Sequence, residues 1–223
     1  MLEVEVEEPR YRSRVRWNTG VLWVLASAAG FGAMAIFAKL AYADGLNVPT
    51  LLAVRFSLAA LLMWAILAIC RVSPRVPART LGGLLLMGGL GYVGQSFAYF
   101  TALQTIPAAT TALLLYTYPA LVSLLAWALL DQRLPRLGGL ALGLALAGCL
   151  LVLGGPGAVV GPALDPLGVA WALGGALIYA FYIVAGAKLT AGVPPLVAAT
   201  YIISAAALVF LGAGLAGGTL LAP

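Results

Sequence analysis

Nine side chains within long apolar stretches of this sequence have the chemistry to bind a small molecule. Two are cations, Lys39 and Arg55, which could attract an anionic group or form a gate contact. The others offer hydroxyl or amide groups for hydrogen bonds, and most also offer aromatic faces for stacking. The candidates for lining a cavity are Gln95, Tyr99, Tyr116, Thr117, Tyr179, Tyr182 and Tyr201. Side chains of these types hold and orient a solute rather than react with it.

Helical spacing brings some of these residues onto one face. Gln95 and Tyr99 are four residues apart and Tyr92 lies three residues before Gln95, so a helix places all three on the same side. Pro119 follows Tyr118 within another apolar stretch, where a proline frees a carbonyl of the preceding turn and breaks the helix. The sequence therefore predicts a binding cavity near a helix break at mid-depth.

A simpler interpretation stays open for each of these side chains. Tyrosine and threonine hydroxyls can bond a neighbouring helix or their own backbone without meeting any ligand. The long side chains of Lys39 and Arg55 can extend to the outer membrane interface with no functional role. Arg55 is the better functional candidate of the two, because it lies deeper in its apolar stretch.

No group of residues points to an enzyme, a cofactor or a metal site. The sequence has no histidine, the commonest metal ligand and proton shuttle. All seven acidic residues lie outside the apolar stretches, so no carboxylate relay is expected through a membrane. The glycine-rich run Gly88–Gly91 lies inside a predicted helix rather than after a strand, so it does not predict a phosphate-binding loop. We expect neither catalysis nor a bound cofactor.

The elements that carry these residues are predicted transmembrane helices. The chain has 223 residues, of which 63% are hydrophobic and only 9% charged. Apolar runs of about 20 residues can cross a bilayer as helices, and they lack the alternation of membrane-spanning strands. An all-α membrane protein of about seven transmembrane helices is therefore expected, after a polar tail over residues 1–17. The predicted spans are Gly20–Ala41, Thr50–Cys70, Thr80–Ala102, Pro107–Leu130, Arg136–Leu153, Leu167–Ala187 and Pro195–Ala216.

Basic residues occur only in alternate segments between these spans. The tail, the second connection and the fourth connection carry several arginines each, and Lys188 follows the sixth span, whereas the remaining segments carry none. Cytoplasmic segments of membrane proteins are enriched in Lys and Arg. This pattern predicts a multi-pass protein of the cytoplasmic (inner) membrane, with its N-terminus in the cytoplasm and its C-terminus outside.

An internal duplication relates the first span to the sixth. Gly20-Val21-Leu22-Trp23 corresponds to Gly168-Val169-Ala170-Trp171, and Val48-Pro49 corresponds to Val193-Pro194 at nearly the same separation. The sixth span comes five positions after the first, an odd number, so the first helix runs outward and its copy runs inward. Repeats of opposite orientation are typical of secondary transporters, whose solute sites lie at the repeat interface.

The order of several motifs resembles the EamA-type members of the drug/metabolite transporter superfamily. These motifs are the Ala-Lys-Leu end of helix one at Lys39, the pair Arg55-Phe56, the exit Ala102–Ala109, and the ending Leu146-Ala147-Gly148 of helix five. The resemblance covers nearly everything after the tail. It implies ten helices in two inverted five-helix repeats that move small metabolites or drugs across the membrane, often outward.

The resemblance also implies a division of this chain. Residues 18–155 would form the complete first repeat, helices one to five, and residues 156–223 the first two helices of the second. Two hypotheses follow: a carrier that works by alternating access and could be completed by a second copy of the chain, or a transport-inactive fragment of such a carrier. A seven-helix receptor is disfavoured, because its N-terminus would lie outside. The expected partners are the bilayer, a small solute and a homodimer mate, and not nucleic acid.

Overall fold

A computed structural model describes residues 19–130, 138–140, 142–144, 147, 148, 151, 164–218 and 220. All regular secondary structure in these residues is helical, which confirms the predicted all-α fold. The described residues up to position 34, which are the first part of helix α1, belong to one unit. Residues 35–223 form the second unit, and every contact discussed below lies within it.

The described helices are α1 (Thr19–Ala43), α2 (Val48–Ile69), α3 (Ala78–Leu86), a π-helical segment (Met87–Tyr92), α4 (Val93–Thr105), α5 (Ala108–Leu115), α6 (Tyr118–Leu130), α7 (Pro166–Leu189) and α8 (Pro195–Ala216). Short connections join the helices from α1 to α6, and another joins α7 to α8.

Six stretches of the described residues are long and apolar enough to cross a membrane. They are Gly20–Ala43, Val48–Ile69, Ala78–Thr105, Ala108–Leu129, Pro166–Leu189 and Pro195–Ala216. These match six of the seven predicted spans to within a few residues. Of the remaining predicted span, Arg136–Leu153, half of the residues lie outside the described ones, and the described half is helical. Many large apolar side chains of the spans are exposed, as lipid-facing surfaces require.

The third span is interrupted by the π-helical segment, which the sequence did not predict. The wider turn includes Gly88, and at this position the chain touches α8 closely. A Cβ on Gly88 would lie 2.8 Å from Cβ of Ala205 and 2.9 Å from Cα of Ile202. Only glycine allows this approach, so a run that could be mistaken for a phosphate loop serves helix packing here.

Helix α7 runs antiparallel to the third span along most of its length. Gly168 faces Thr105 at one end, Gly175 faces Ala98 near the middle, and Gly186 faces Met87 at the other end. A Cβ on Gly175 would lie 3.4 Å from that of Ala98, an ordinary close contact. Small residues on one face of α7 thus allow the two helices to approach, as is common in membrane helix pairs.

Helices α2 and α8 also pack antiparallel. Phe56, near the start of α2, stacks on Phe210, near the end of α8, with ring centroids 5.4 Å apart. Trp64, near the end of α2, donates a hydrogen bond of 3.0 Å to Ser204 and meets the Tyr201 ring at 5.6 Å. Because α8 contains the sequence copy of α2, the duplicated helices run in opposite directions.

An aspartate caps the start of α7. The backbone N–H groups of Leu167 and Gly168 donate to the two carboxylate oxygens of Asp165 at 3.2 and 3.1 Å. These hydrogen bonds favour the ionised carboxylate and lower the pKa of Asp165 below its usual range. The cap satisfies two of the N–H groups that a helix leaves unpaired at its first turn.

Candidate functional site

Five aromatic rings from four elements form a continuous row, which we call the tyrosine ladder. Phe56 of α2 meets Tyr92 of the π-helical segment edge to face, with ring centroids 5.4 Å apart. Tyr92 stacks on Tyr182 of α7 at 5.8 Å, and Tyr182 stacks on Tyr179 at the same distance. Tyr179 meets Tyr118 of α6 at 4.8 Å. The ladder therefore joins α2, the π-helical segment and α6 to α7.

A guanidinium lies at the Phe56 end of the ladder. The Cζ atom of Arg55 is 5.0 Å from the Phe56 ring centroid and 5.2 Å from that of Phe100, distances at which cations are attracted to aromatic faces. The Tyr92 side chain is within hydrogen-bonding reach of Arg55, and the Tyr99 side chain is also close to it. Arg55 is thus held in place by rings and hydroxyl groups.

No carboxylate accompanies Arg55 within the membrane spans that the structure describes. The acidic residues among the described ones are Asp44 and Asp165, and both lie in connections. Arg55 is seven residues from the start of α2, which places it about 10 Å along a helix that crosses a core of about 30 Å. A charge at this depth without an acidic partner is costly, and such residues mark solute or ion pathways.

Other predicted residues gather around this guanidinium. The Tyr99 ring meets the Phe100 ring at 5.6 Å, whereas the Tyr116 side chain is 54% exposed. The Tyr42 hydroxyl donates a hydrogen bond of 2.9 Å to the Phe100 carbonyl. Lys39 lies three residues before Tyr42 on α1, so it is close to the same end of the molecule.

The fourth span is broken beside the other end of the ladder. Helix α5 ends at Leu115 and α6 begins at Tyr118, with a turn at Tyr116 and Thr117 between them. Pro119 is the second residue of α6 and has no N–H to offer the Leu115 carbonyl four residues earlier. An interrupted helix in a membrane is tolerated where it lines a cavity or is buried in protein. The break thus lies beside Tyr118.

Three predicted residues make contacts outside the ladder instead. The Thr117 hydroxyl donates to the Leu114 carbonyl at 2.7 Å, which closes the turn. The Gln95 side chain is buried and accepts a hydrogen bond of 3.4 Å from Ser96. The Tyr201 hydroxyl donates to the Pro74 carbonyl at 2.9 Å, so it ties α8 to the connection before α3. None of the three is a rung of the ladder.

Two phenylalanines complete the site although they were not among the predicted cavity residues. Phe56 and Phe100 flank the Arg55 guanidinium, and Phe56 also begins the ladder. The sequence did contain one signal for this role, since Arg55 and Phe56 are adjacent. Phe100 carried no signal of its own, because its position depends on how α4 packs against α2.

Comparison with known proteins agrees with this architecture. The model of the EamA-like transporter family matches residues 18–154, more than half of the chain. The chain belongs to the EamA-like transporter family. It is a multi-pass membrane protein and a transporter of the drug/metabolite type, and the resemblance noted in the sequence is confirmed. Its family is one of transporters, not of enzymes.

A solved structure shares the fold of this EamA-like protein. That structure, titled "Crystal structure of protein", is 28% identical in sequence and superposes with a TM-score of 0.57. The match covers 85% of this chain and 67% of the other. No curated protein sequence matches the chain.

Proposed function

We propose that this protein is a secondary carrier that exports small amphipathic or aromatic metabolites and drugs, with a preference for anionic ones. The solute would bind along the tyrosine ladder, with its anionic group at Arg55. The observation that carries the proposal is a guanidinium between two rings at the end of this ladder, with no carboxylate in the described spans to neutralise it.

The chemistry of the site supports this class of solute. Aromatic rings favour planar apolar bodies, since offset and edge-to-face contacts contribute about 0.5–1.5 kcal/mol each beyond buried area. Tyrosine hydroxyls add hydrogen-bond donors and acceptors along the row. A guanidinium pairs with carboxylate, sulfonate or phosphate oxygens through two parallel N–H donors. Small hydrophilic cations find no counter-charge here.

Alternating access would occur between the inverted copies. Helices α2 and α8 are related by the sequence duplication and pack antiparallel, as inverted repeats require. The ladder crosses from α2 to α7 and α6, so a solute on it would contact both repeats. We propose a cytoplasmic N-terminus and an external C-terminus in the inner membrane, because the basic residues fall in alternate segments.

Flux measurements in proteoliposomes test the proposal. The probes are radiolabelled naphthalenesulfonate, a planar anion, and its neutral analogue naphthalenesulfonamide. We expect saturable flux of the anion that Tyr179→Leu reduces at least tenfold and Tyr179→Phe largely retains, because the ring is what the ladder needs. Tyr201→Phe is the matched control, since it removes a hydroxyl outside the ladder. Flux that does not saturate, or that survives Tyr179→Leu, would refute the proposed site.

A further inference from the structure

An open apolar groove runs along the outside of the protein between the π-helical segment and α7. Its volume is about 420 Å³. Leu86 and Leu90 on its rim are 59% and 68% exposed, so the groove faces the lipid rather than the interior. We call it the lateral groove. Its lining is Leu86, Met87, Leu90, Gly91, Ile178, Phe181, Tyr182, Ala185 and Leu189.

The length of the lateral groove matches one leaflet of a bilayer. Ile178 and Leu189 mark its extent along α7 and are eleven residues apart, which corresponds to about 17 Å of helix. Half of a hydrocarbon core is about 15 Å deep. A lipid tail lying in the groove would therefore remain at its natural depth, with its end near Ile178.

Two basic residues stand at the end of the lateral groove where a headgroup would lie. Lys188 is three residues after Ala185 and seven after Phe181, so it continues the groove-facing stripe of α7. On the other wall, Gly83 of α3 packs against Leu189: a Cβ on Gly83 would lie 3.2 Å from the Leu189 side chain. Arg79 lies one turn before Gly83, towards the same end of the molecule. Both cations are exposed.

We propose that the lateral groove binds one phospholipid with an anionic headgroup, its acyl chain along the groove and its phosphate beside Arg79 and Lys188. An apolar channel one leaflet long with a basic mouth complements such a lipid in both shape and charge. Basic pockets between transmembrane helices bind anionic headgroups in this way. The groove shares Tyr182 with the tyrosine ladder, but the proposal does not depend on which solute the ladder binds.

Native mass spectrometry of the full chain tests the basic mouth. The protein is titrated with phosphatidylglycerol and with phosphatidylcholine of identical acyl chains. We expect one tightly bound phosphatidylglycerol, and Arg79→Gln and Lys188→Gln should each weaken it about fivefold. Arg75→Gln is the matched control, an exposed arginine of the connection before α3. Equal loss in the control, or no preference for the anionic lipid in the unmodified chain, would overturn the proposal.

Filling the groove tests the apolar part independently. Ala185→Phe places a ring in the groove and should weaken binding of both lipids by about tenfold. Ala187→Phe adds the same ring two residues away, off the groove face of α7, and should leave binding unchanged. Both alanines are exposed, so both variants are expected to fold. If Ala185→Phe instead abolishes a dimer peak and leaves lipid binding intact, the groove holds a second copy of the chain and the lipid proposal is wrong.

Discussion

Replacing Arg55 by methionine separates a solute-binding role from a purely structural one. Methionine keeps an unbranched side chain in the same space but removes the charge and the hydrogen-bond donors. If Arg55 binds the anionic group of the solute, the variant loses a charge-assisted hydrogen bond, which contributes about 1.5–3 kcal/mol. Affinity for naphthalenesulfonate should therefore fall roughly 10- to 150-fold. Affinity for the neutral sulfonamide should change by less than about twofold, because that probe does not need the charge.

The effect on folding stability should be small by comparison. The contacts with Phe56 and Phe100 each stabilise the guanidinium by about 0.5–2 kcal/mol. Against this, a guanidinium costs about 2.5–3.5 kcal/mol at the centre of a membrane helix, which is an upper bound for Arg55 at about 10 Å along α2. These terms nearly cancel, so we expect Arg55→Met to change the free energy of unfolding by less than about 1 kcal/mol.

Equilibrium binding of both probes to detergent-solubilised protein, with thermal unfolding of the same samples, gives the answer. Arg55→Lys is the intermediate variant, since it keeps the charge but loses the planar fork, and should lose less affinity than methionine. The reasoning is refuted if Arg55→Met unfolds far more easily while binding the anion normally. That result would mean that Arg55 supports the helix packing and does not touch the solute.

Three further predictions concern the scaffold around the site. Gly88→Ala should destabilise the protein by about 1–3 kcal/mol, because the added methyl group collides with α8. Gly89→Ala should be tolerated, because a Cβ there would lie 3.6 Å from the Val209 side chain. Thermal unfolding of both variants checks this. Asp165→Ala should remove the pH dependence of stability that the cap confers. Because the folded pKa of Asp165 is lowered, the cap stabilises the protein above the unfolded pKa of about 3.9, and this stabilisation is lost as pH falls through the folded pKa. The free energies of unfolding of the unmodified protein and the variant should therefore converge in acid and differ near neutral pH. Pro119→Ala should restore an N–H for the Leu115 carbonyl and make α5 and α6 continuous, which should slow flux of naphthalenesulfonate with little change in its binding.

The spans were predictable because a bilayer constrains helices strongly. Lipid satisfies no backbone group, so long apolar runs have one stable structure, and predicted Pro195–Ala216 coincides with α8. The π-helical segment was not predictable from such patterns. Its six residues are as apolar as their neighbours, and the wider turn depends on Gly88 meeting α8, a contact between residues more than a hundred positions apart.

The candidate site was predictable in its residue types but not in its connections. The sequence predicts Tyr179 and Tyr182 as polar aromatic residues at mid-depth, and their rings stack on each other. Tyr201 has the same chemistry and a similar depth in its helix, yet its hydroxyl bonds the Pro74 carbonyl. The rotation of α7 and α8 about their axes, relative to the third span, decides which tyrosines join the ladder. That rotation cannot be predicted from a single sequence.

Solute counterflow in proteoliposomes tests the central claim most directly. Vesicles that contain the protein are loaded with a high concentration of unlabelled naphthalenesulfonate and diluted into a trace of labelled probe. A carrier that alternates around one site will transiently accumulate label above its equilibrium level, and Arg55→Met should abolish this overshoot. If label only equilibrates, without an overshoot, or if the overshoot is unchanged in Arg55→Met, then alternating access around the tyrosine ladder is contradicted.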